Sequence, residues 1–145
     1  MPEKALNEVI NILNSEIKGL KQRGSPRLII LRGSSDKKNS VLKHFEKNVR
    51  QSEMNVVHTT LEDISGKDRV EFDEGVIIID RLDHFLFQPP LGRLSLQLKL
   101  SRFFDEVAHR PATLIVLGVT SGEALKYFSS KFKNVYAKAE TLEIM

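Results

Sequence analysis

Three short segments of this 145-residue chain carry side chains in an order that phosphate chemistry requires. The first is Leu31-Arg32-Gly33-Ser34-Ser35-Asp36-Lys37-Lys38-Asn39-Ser40, which follows an apolar run and leads into amphipathic sequence. It reads as a strand feeding a polar loop and then a helix. A loop in that place binds phosphate when it has the form G-x-x-x-x-G-K-[ST]. Its amides and the helix N-terminus cradle the anion, the lysine neutralises it, and the hydroxyl ligates magnesium. Aligned on Gly33 and Ser40, the chain puts Lys38 where the second glycine belongs and Asn39 where the lysine belongs. Ser40 keeps the hydroxyl, and Lys37 or Lys38 is left to supply a cation from a neighbouring position. A polar strand-to-helix turn with Ser40 near the helix N-cap fits these residues better than a phosphate cradle.

The second segment, Val76-Ile77-Ile78-Ile79-Asp80-Arg81, is a continuous apolar run closed by an acid. Asp80 stands where a carboxylate would hold the water shell of a magnesium ion, and its place in the order favours this over a simple loop cap. Hydrolysis in this class needs a further acid just after it to orient the attacking water. That position is Arg81, which cannot accept a proton. The third segment ends Gly118-Val119-Thr120. Thr120 is either a sensor of the terminal phosphate or a turn former, and the sequence weighs these evenly. Asp80 and Ser40 are therefore metal ligands only if a magnesium nucleotide binds.

The elements that must position these residues follow from periodicity. Leu6, Val9, Ile10, Leu13, Ile17 and Leu20 repeat at about 3.6 residues, so 5–23 is an amphipathic helix ended by Gly24-Ser25-Pro26. Strands are expected at 27–31, 54–60, 75–80, 112–119 and 135–144. Helices are expected from about Ser40 to Gln51, from Leu91 to His109 and from Ser121 to Phe132. The stretch 61–73 has room for little more than one helical turn. Alternating strands and helices imply a parallel sheet covered on both faces, with ligands beyond the carboxyl ends of its strands. The expected organisation is a single domain, helix 5–23 followed by a core over 27–145, with no repeat or linker.

Composition narrows the chemistry. The chain has no cysteine, which removes disulfides, thiol catalysis and Cys-ligated zinc. His44, His58, His84 and His109 lack metal-ligand spacing. No Ser-His-Asp or paired-carboxylate arrangement follows from spacing, and no catalytic residue is assigned. There is no long apolar run and no basic-apolar leader, so no membrane partner is expected. A net charge of +3, from 22 basic and 19 acidic residues, is a mild excess. Lys37, Lys38, Lys43, Lys47 and Arg50 would make a basic helix edge for DNA, but a solvated helix face accounts for them more simply. The stretch Phe85-Leu86-Phe87-Gln88-Pro89-Pro90 is core or, as the alternative, an exposed patch for a protein partner.

Taken together, the segments resemble a family. Val76 to Phe132 is similar to the AAA+ core of origin recognition complex subunits and related initiators. The acid-ended strand leads into Asp80-Arg81-Leu82-Asp83-His84-Phe85. A helix ending in Phe104-Asp105 follows, the next strand closes Leu117-Gly118-Val119-Thr120, and a further helix closes Ser130-Lys131-Phe132. The resemblance implies a P-loop NTPase-like α/β fold, a parallel sheet sandwiched by helices, with an AAA+ or RecA-like core and no lid. It also implies that the family's arginine finger falls on Lys131, a point charge rather than a bidentate fork. The 61–73 stretch is too short for the DNA-contacting insertion of initiators, and a lid would begin only beyond Met145. Degenerate RecA-type recombinase paralogues, which are non-catalytic partners in recombination, have a similar layout, with Arg93 to Ala108 as the matching helix.

With Asn39, Arg81 and Lys131 at three positions that hydrolysis needs, the expectation is a catalytically inactive subunit. It would act as an assembly module in a DNA replication-initiation or DNA-maintenance complex. Its partners would be other subunits, themselves AAA+ or P-loop proteins, docked through Arg81, Lys131, Phe85 and Phe87. DNA contact would be indirect or weak. No cofactor is expected, with ATP and magnesium as the alternative in a chain of weak or unorthodox ATPase activity. The expected location is intracellular, nuclear in a eukaryote and otherwise cytoplasmic.

Overall fold

A computed structural model describes residues 3–22 and 24–145. Strand β1 (Glu3–Lys4) precedes helix α1 (Leu6–Lys18), which a 3-10 turn (Leu20–Gln22) extends. Then come β2 (Arg27–Arg32), α2 (Ser35–Gln51), β3 (Val56–Thr60), α3 (Leu61–Ser65) and β4 (Gly75–Asp80). A second 3-10 turn (Leu82–Phe87) leads into α4 (Pro90–Val107) and β5 (Thr113–Val119). The chain closes with α5 (Gly122–Lys131), α6 (Lys133–Lys138) and β6 (Glu140–Ile144).

All strand pairs are parallel, in the order β1-β6-β2-β5-β4-β3. Every residue of β4 and β5 is buried, as their continuous apolar runs require of strands with neighbours on both edges and helices on both faces. The edge strand β3 is more mixed, with His58 exposed. On one face, Val9, Leu13 and Ile17 of α1 and Val41, Leu42 and Phe45 of α2 pack on alternate residues of β2, β4 and β5. On the other, Leu96, Leu100 and Phe103 of α4 join Phe85 and Phe128 on the opposite set. Each such fully buried side chain contributes about 1.5–3 kcal/mol of apolar transfer.

Several expectations shift. Helix α1 ends at Lys18, and Arg23 lies outside the described residues. Helix α2 begins at Ser35 rather than about Ser40, with Ser34 at its N-cap. The interval before β6 forms α6, not strand, because Val135 and Tyr136 pack against the second core as a helical pair. Phe85 is fully buried, so it is a core residue and not a docking residue as expected; Phe87, two positions on, is exposed.

Candidate functional site

Because every strand runs the same way, Arg32, Asp80, Thr120 and Ile144 all gather at one edge of the sheet. In open α/β sheets this edge, where strand order reverses beside the first long strand, is where ligands sit. Here β5 and β6 flank β2, so the crevice lies over the β2 terminus.

Only Gly33 and Ser34 separate β2 from α2. The Gly33 amide donates to Val119 O at 3.3 Å, and a Cβ at Gly33 would stand 3.1 Å from Ile144 Cβ and Cδ1. Residues 35–39, read from sequence as a loop, are helical, and the Lys38 amide donates to Ser34 O at 2.9 Å. Helical spacing then decides which side chains reach the crevice. Lys38 turns inward, and Ser40, two residues on and about 200° around the helix, cannot share that direction. Ser40 instead faces a groove along the outer side of α2 with Lys43, His44 and Lys47. Ser34, and not Ser40, therefore stands at the helix N-cap. Asn39 is exposed, and Lys37 donates to the Met145 carbonyl oxygen.

Lys38 is the centre of the cluster. It is 2% exposed, with Nζ 2.9 Å from Asp80 Oδ1 and 3.2 Å from Thr120 Oγ1. The ammonium thus bridges the ends of β4 and β5 from the first helix after β2. The same Asp80 oxygen accepts the Arg81 N–H at 2.7 Å. That bond accompanies a left-handed backbone at Arg81 (φ 63°), which is unusual for a side chain with a Cβ. The Arg81 guanidinium projects into solvent and donates to Glu62; that hydrogen bond, and then the carboxylate's charge, raise the arginine pKa above its ordinary value. Two residues at the rim complete the picture. Arg32 pairs with Glu143 at 2.9 Å, and Gly118 lies directly against the Asp80 carboxylate.

Sequence reading missed Asp83 as a positioning residue. Its two carboxylate oxygens accept the N–H groups of Thr120 at 3.0 Å and Ser121 at 2.8 Å, which ties the turn after β4 to the turn after β5. Ser121 in turn caps α5, its Oγ accepting the Ala124 N–H. Burial pushes the Asp83 carboxyl up, but the bonds from Ser121 and Thr120 outweigh it and hold the group below the ordinary carboxylate range. A lowered folded-state pKa means stabilisation that is present above the unfolded value and lost as pH falls through the folded one. Asp83→Asn is therefore expected to cost about 1 kcal/mol near neutral pH, since the group is partly exposed. Thermal melts of the two proteins should converge in acid; a gap that stays constant with pH would contradict the assignment.

The other candidates lie elsewhere. Lys131 ends α5, about 15 Å of helix from Ser121, with Nζ 5.8 Å from the Tyr127 ring centroid. It is exposed, as are Arg81 and Phe87. Among the described residues, no group of three or more His, Asp or Glu gathers as a metal site, and no helix is long and apolar enough to cross a membrane.

No protein-family model matches the sequence, and no curated protein matches it. Solved structures do match in fold. The chain is similar to domain III of the replication initiation protein DnaA from Thermotoga maritima, with TM-score 0.68 and 15% identity, over 99% of this chain and 64% of that one. It is also similar to the ORC2 protein of Aeropyrum pernix in its ADP form, with TM-score 0.63 and 16% identity, over 99% of this chain and 49% of that one. For the ADPNP-ADP complexes of the same protein the TM-score is 0.61 at 14% identity, over 99% and 48%. The chain thus spans between about half and two thirds of the length of these structures. At such identity the likeness is one of fold: a six-stranded parallel sheet with flanking helices, shared with DnaA domain III and ORC2.

Proposed function

We propose that this chain is a non-hydrolysing AAA+-like module that serves assembly, in a replication-initiation or related DNA-maintenance complex, and not a motor. The observation that carries the reading is Lys38. Its ammonium stands against Asp80 and Thr120, two of the three positions that phosphate and magnesium would use. A two-residue link between β2 and α2 leaves no extended loop of amides to wrap a phosphate chain. Ser40, the remaining candidate for magnesium, points away. The residues present therefore do not fit a magnesium nucleotide in the ordinary way.

Arg81 supports the same reading, because it takes the place of a water-orienting acid and is committed to Glu62. Replication initiation enters through the fold shared with DnaA domain III and ORC2; other subunits of that fold are the expected partners. An unorthodox nucleotide site is the second reading, favoured by the convergence of Lys38, Asp80 and Thr120. In that case Lys38 would have to leave Asp80 for a phosphate. Titration with magnesium ATP separates the two, since the assembly reading expects no saturable uptake.

A further inference from the structure

We infer that the outer face of α4 is a docking groove for an amphipathic helix of another protein, one whose apolar stripe is flanked by acidic residues. The starting point is a helix that is apolar on both sides. Leu96 and Leu100 turn inward with Phe103 and Val107, as a core-facing stripe should. Leu91, Leu94 and Leu98, spaced i, i+3 and i+7, lie on the other side and are 82%, 51% and 59% exposed. An ordinary surface helix carries polar residues there. Phe87, in the turn leading into α4, is 77% exposed as well. Among the described residues, only Met145 is a large apolar side chain exposed elsewhere. Exposed apolar surface is thus concentrated at one place and marks an interaction site.

The shape selects the kind of partner. The three leucines line a groove of about 350 Å³, whose walls are completed by Asp68, Lys99 and Arg102. Lys99 Nζ donates to Ser65 O at 3.1 Å, which links α4 to the end of α3 beside the groove. A shallow, open groove with anchors at i, i+3 and i+7 suits a row of side chains from a second helix. A flat lipid surface would use the same leucines less fully.

Charge selects among protein partners. On the groove side the helix bears Lys99 and Arg102 and no acid, while Arg93 turns the other way to Leu86 O, Gln88 O and the Tyr127 ring. Across the groove is Asp68, followed by Arg69, which pairs with Glu106 at 3.7 Å. A second copy of this chain would offer these cations its own Lys99 and Arg102 and a single groove acid, Asp68, which disfavours self-pairing. Aspartates and glutamates beside the incoming stripe would meet them favourably. The inference rests on the assembly reading for its purpose, but its test uses no nucleotide, so either can fail alone.

The probes are two synthetic helical peptides of about 18 residues. They share a leucine stripe, flanked by glutamate in one and lysine in the other. Fluorescence anisotropy with the full chain should show the glutamate peptide binding at least about tenfold more tightly. Leu94→Ser, exposed and so harmless to the core, should weaken it by about tenfold, and Arg102→Glu should reverse the preference between peptides. Equal binding of the twins, or binding of neither, overturns the inference. So does a dimer in sedimentation that Leu94→Ser abolishes, or capture by anionic phosphatidylserine vesicles in place of the peptide.

Discussion

Lys38→Met is expected to remove about 3–5 kcal/mol of folding stability, a large share of what a domain of this size possesses. The ammonium is almost wholly buried against Asp80 Oδ1 at 2.9 Å, so its removal leaves a buried carboxylate held, among the described residues, by the Arg81 N–H. The methionine keeps most of the stem volume, so the loss reports the charge and not a cavity. Adding Asp80→Asn to Lys38→Met should recover much of it, because the orphaned charge goes with it. A coupling energy above about 2 kcal/mol in that double-mutant cycle, read by urea denaturation, is the expected result. Coupling below about 1 kcal/mol would mean a solvated pair and an open crevice.

The second large effect is at Gly118, the penultimate residue of β5. A Cβ there would come within 2.1 Å of Asp80 Oδ1 and 3.0 Å of its Cγ. A free carboxylate could swing aside at little cost. This one is held by Lys38 from one direction and the Arg81 N–H from another. Gly118→Ala should therefore cost about 2–4 kcal/mol, combining overpacking with a weakened ion pair. Shortening the obstacle should rescue it: in an Asp80→Ser background, Gly118→Ala is expected to cost less than about 1 kcal/mol. A full cost in both backgrounds would place the strain in the strand itself and not in the cluster.

These two residues also show how far the sequence alone could reach. The buried strands β4 and β5 and the helix α4 were legible because continuous or helically spaced apolar residues have few alternatives. The order of strand, polar segment, helix and acid-ended strand was enough to place Asp80 and Thr120 at one edge. The first turn of α2 was not legible, because Ser35-Asp36-Lys37-Lys38 has no apolar period and its likeness to a phosphate loop suggested a loop. Nothing in a run of lysines tells which one turns inward. That depends on where the helix starts, and a shift of five residues moved Ser40 out of the site and Lys38 into it.

Other misses have the same cause. Asp83 meets Thr120 and Ser121 across 37 and 38 residues of chain, a contact that only the sheet order creates. Phe85 and Phe87 look alike in sequence, yet the 3-10 turn buries one and exposes the other. The leucines of α4 were visible as apolar residues, but their number exceeds what one face can bury. The surplus is the exposed ridge.

The central claim is that an internal lysine holds the crevice that a nucleotide would otherwise use, and thermal stability with magnesium ATP tests it most directly. A ligand that binds only the folded chain raises stability by RT ln(1 + [L]/Kd), or about 2.7 kcal/mol at one hundred times Kd. The melting temperature of the wild-type chain is predicted to be the same with and without millimolar magnesium ATP. A saturable rise that Asp80→Asn abolishes would contradict the account, for it would mean that Lys38 releases Asp80 to bind phosphate.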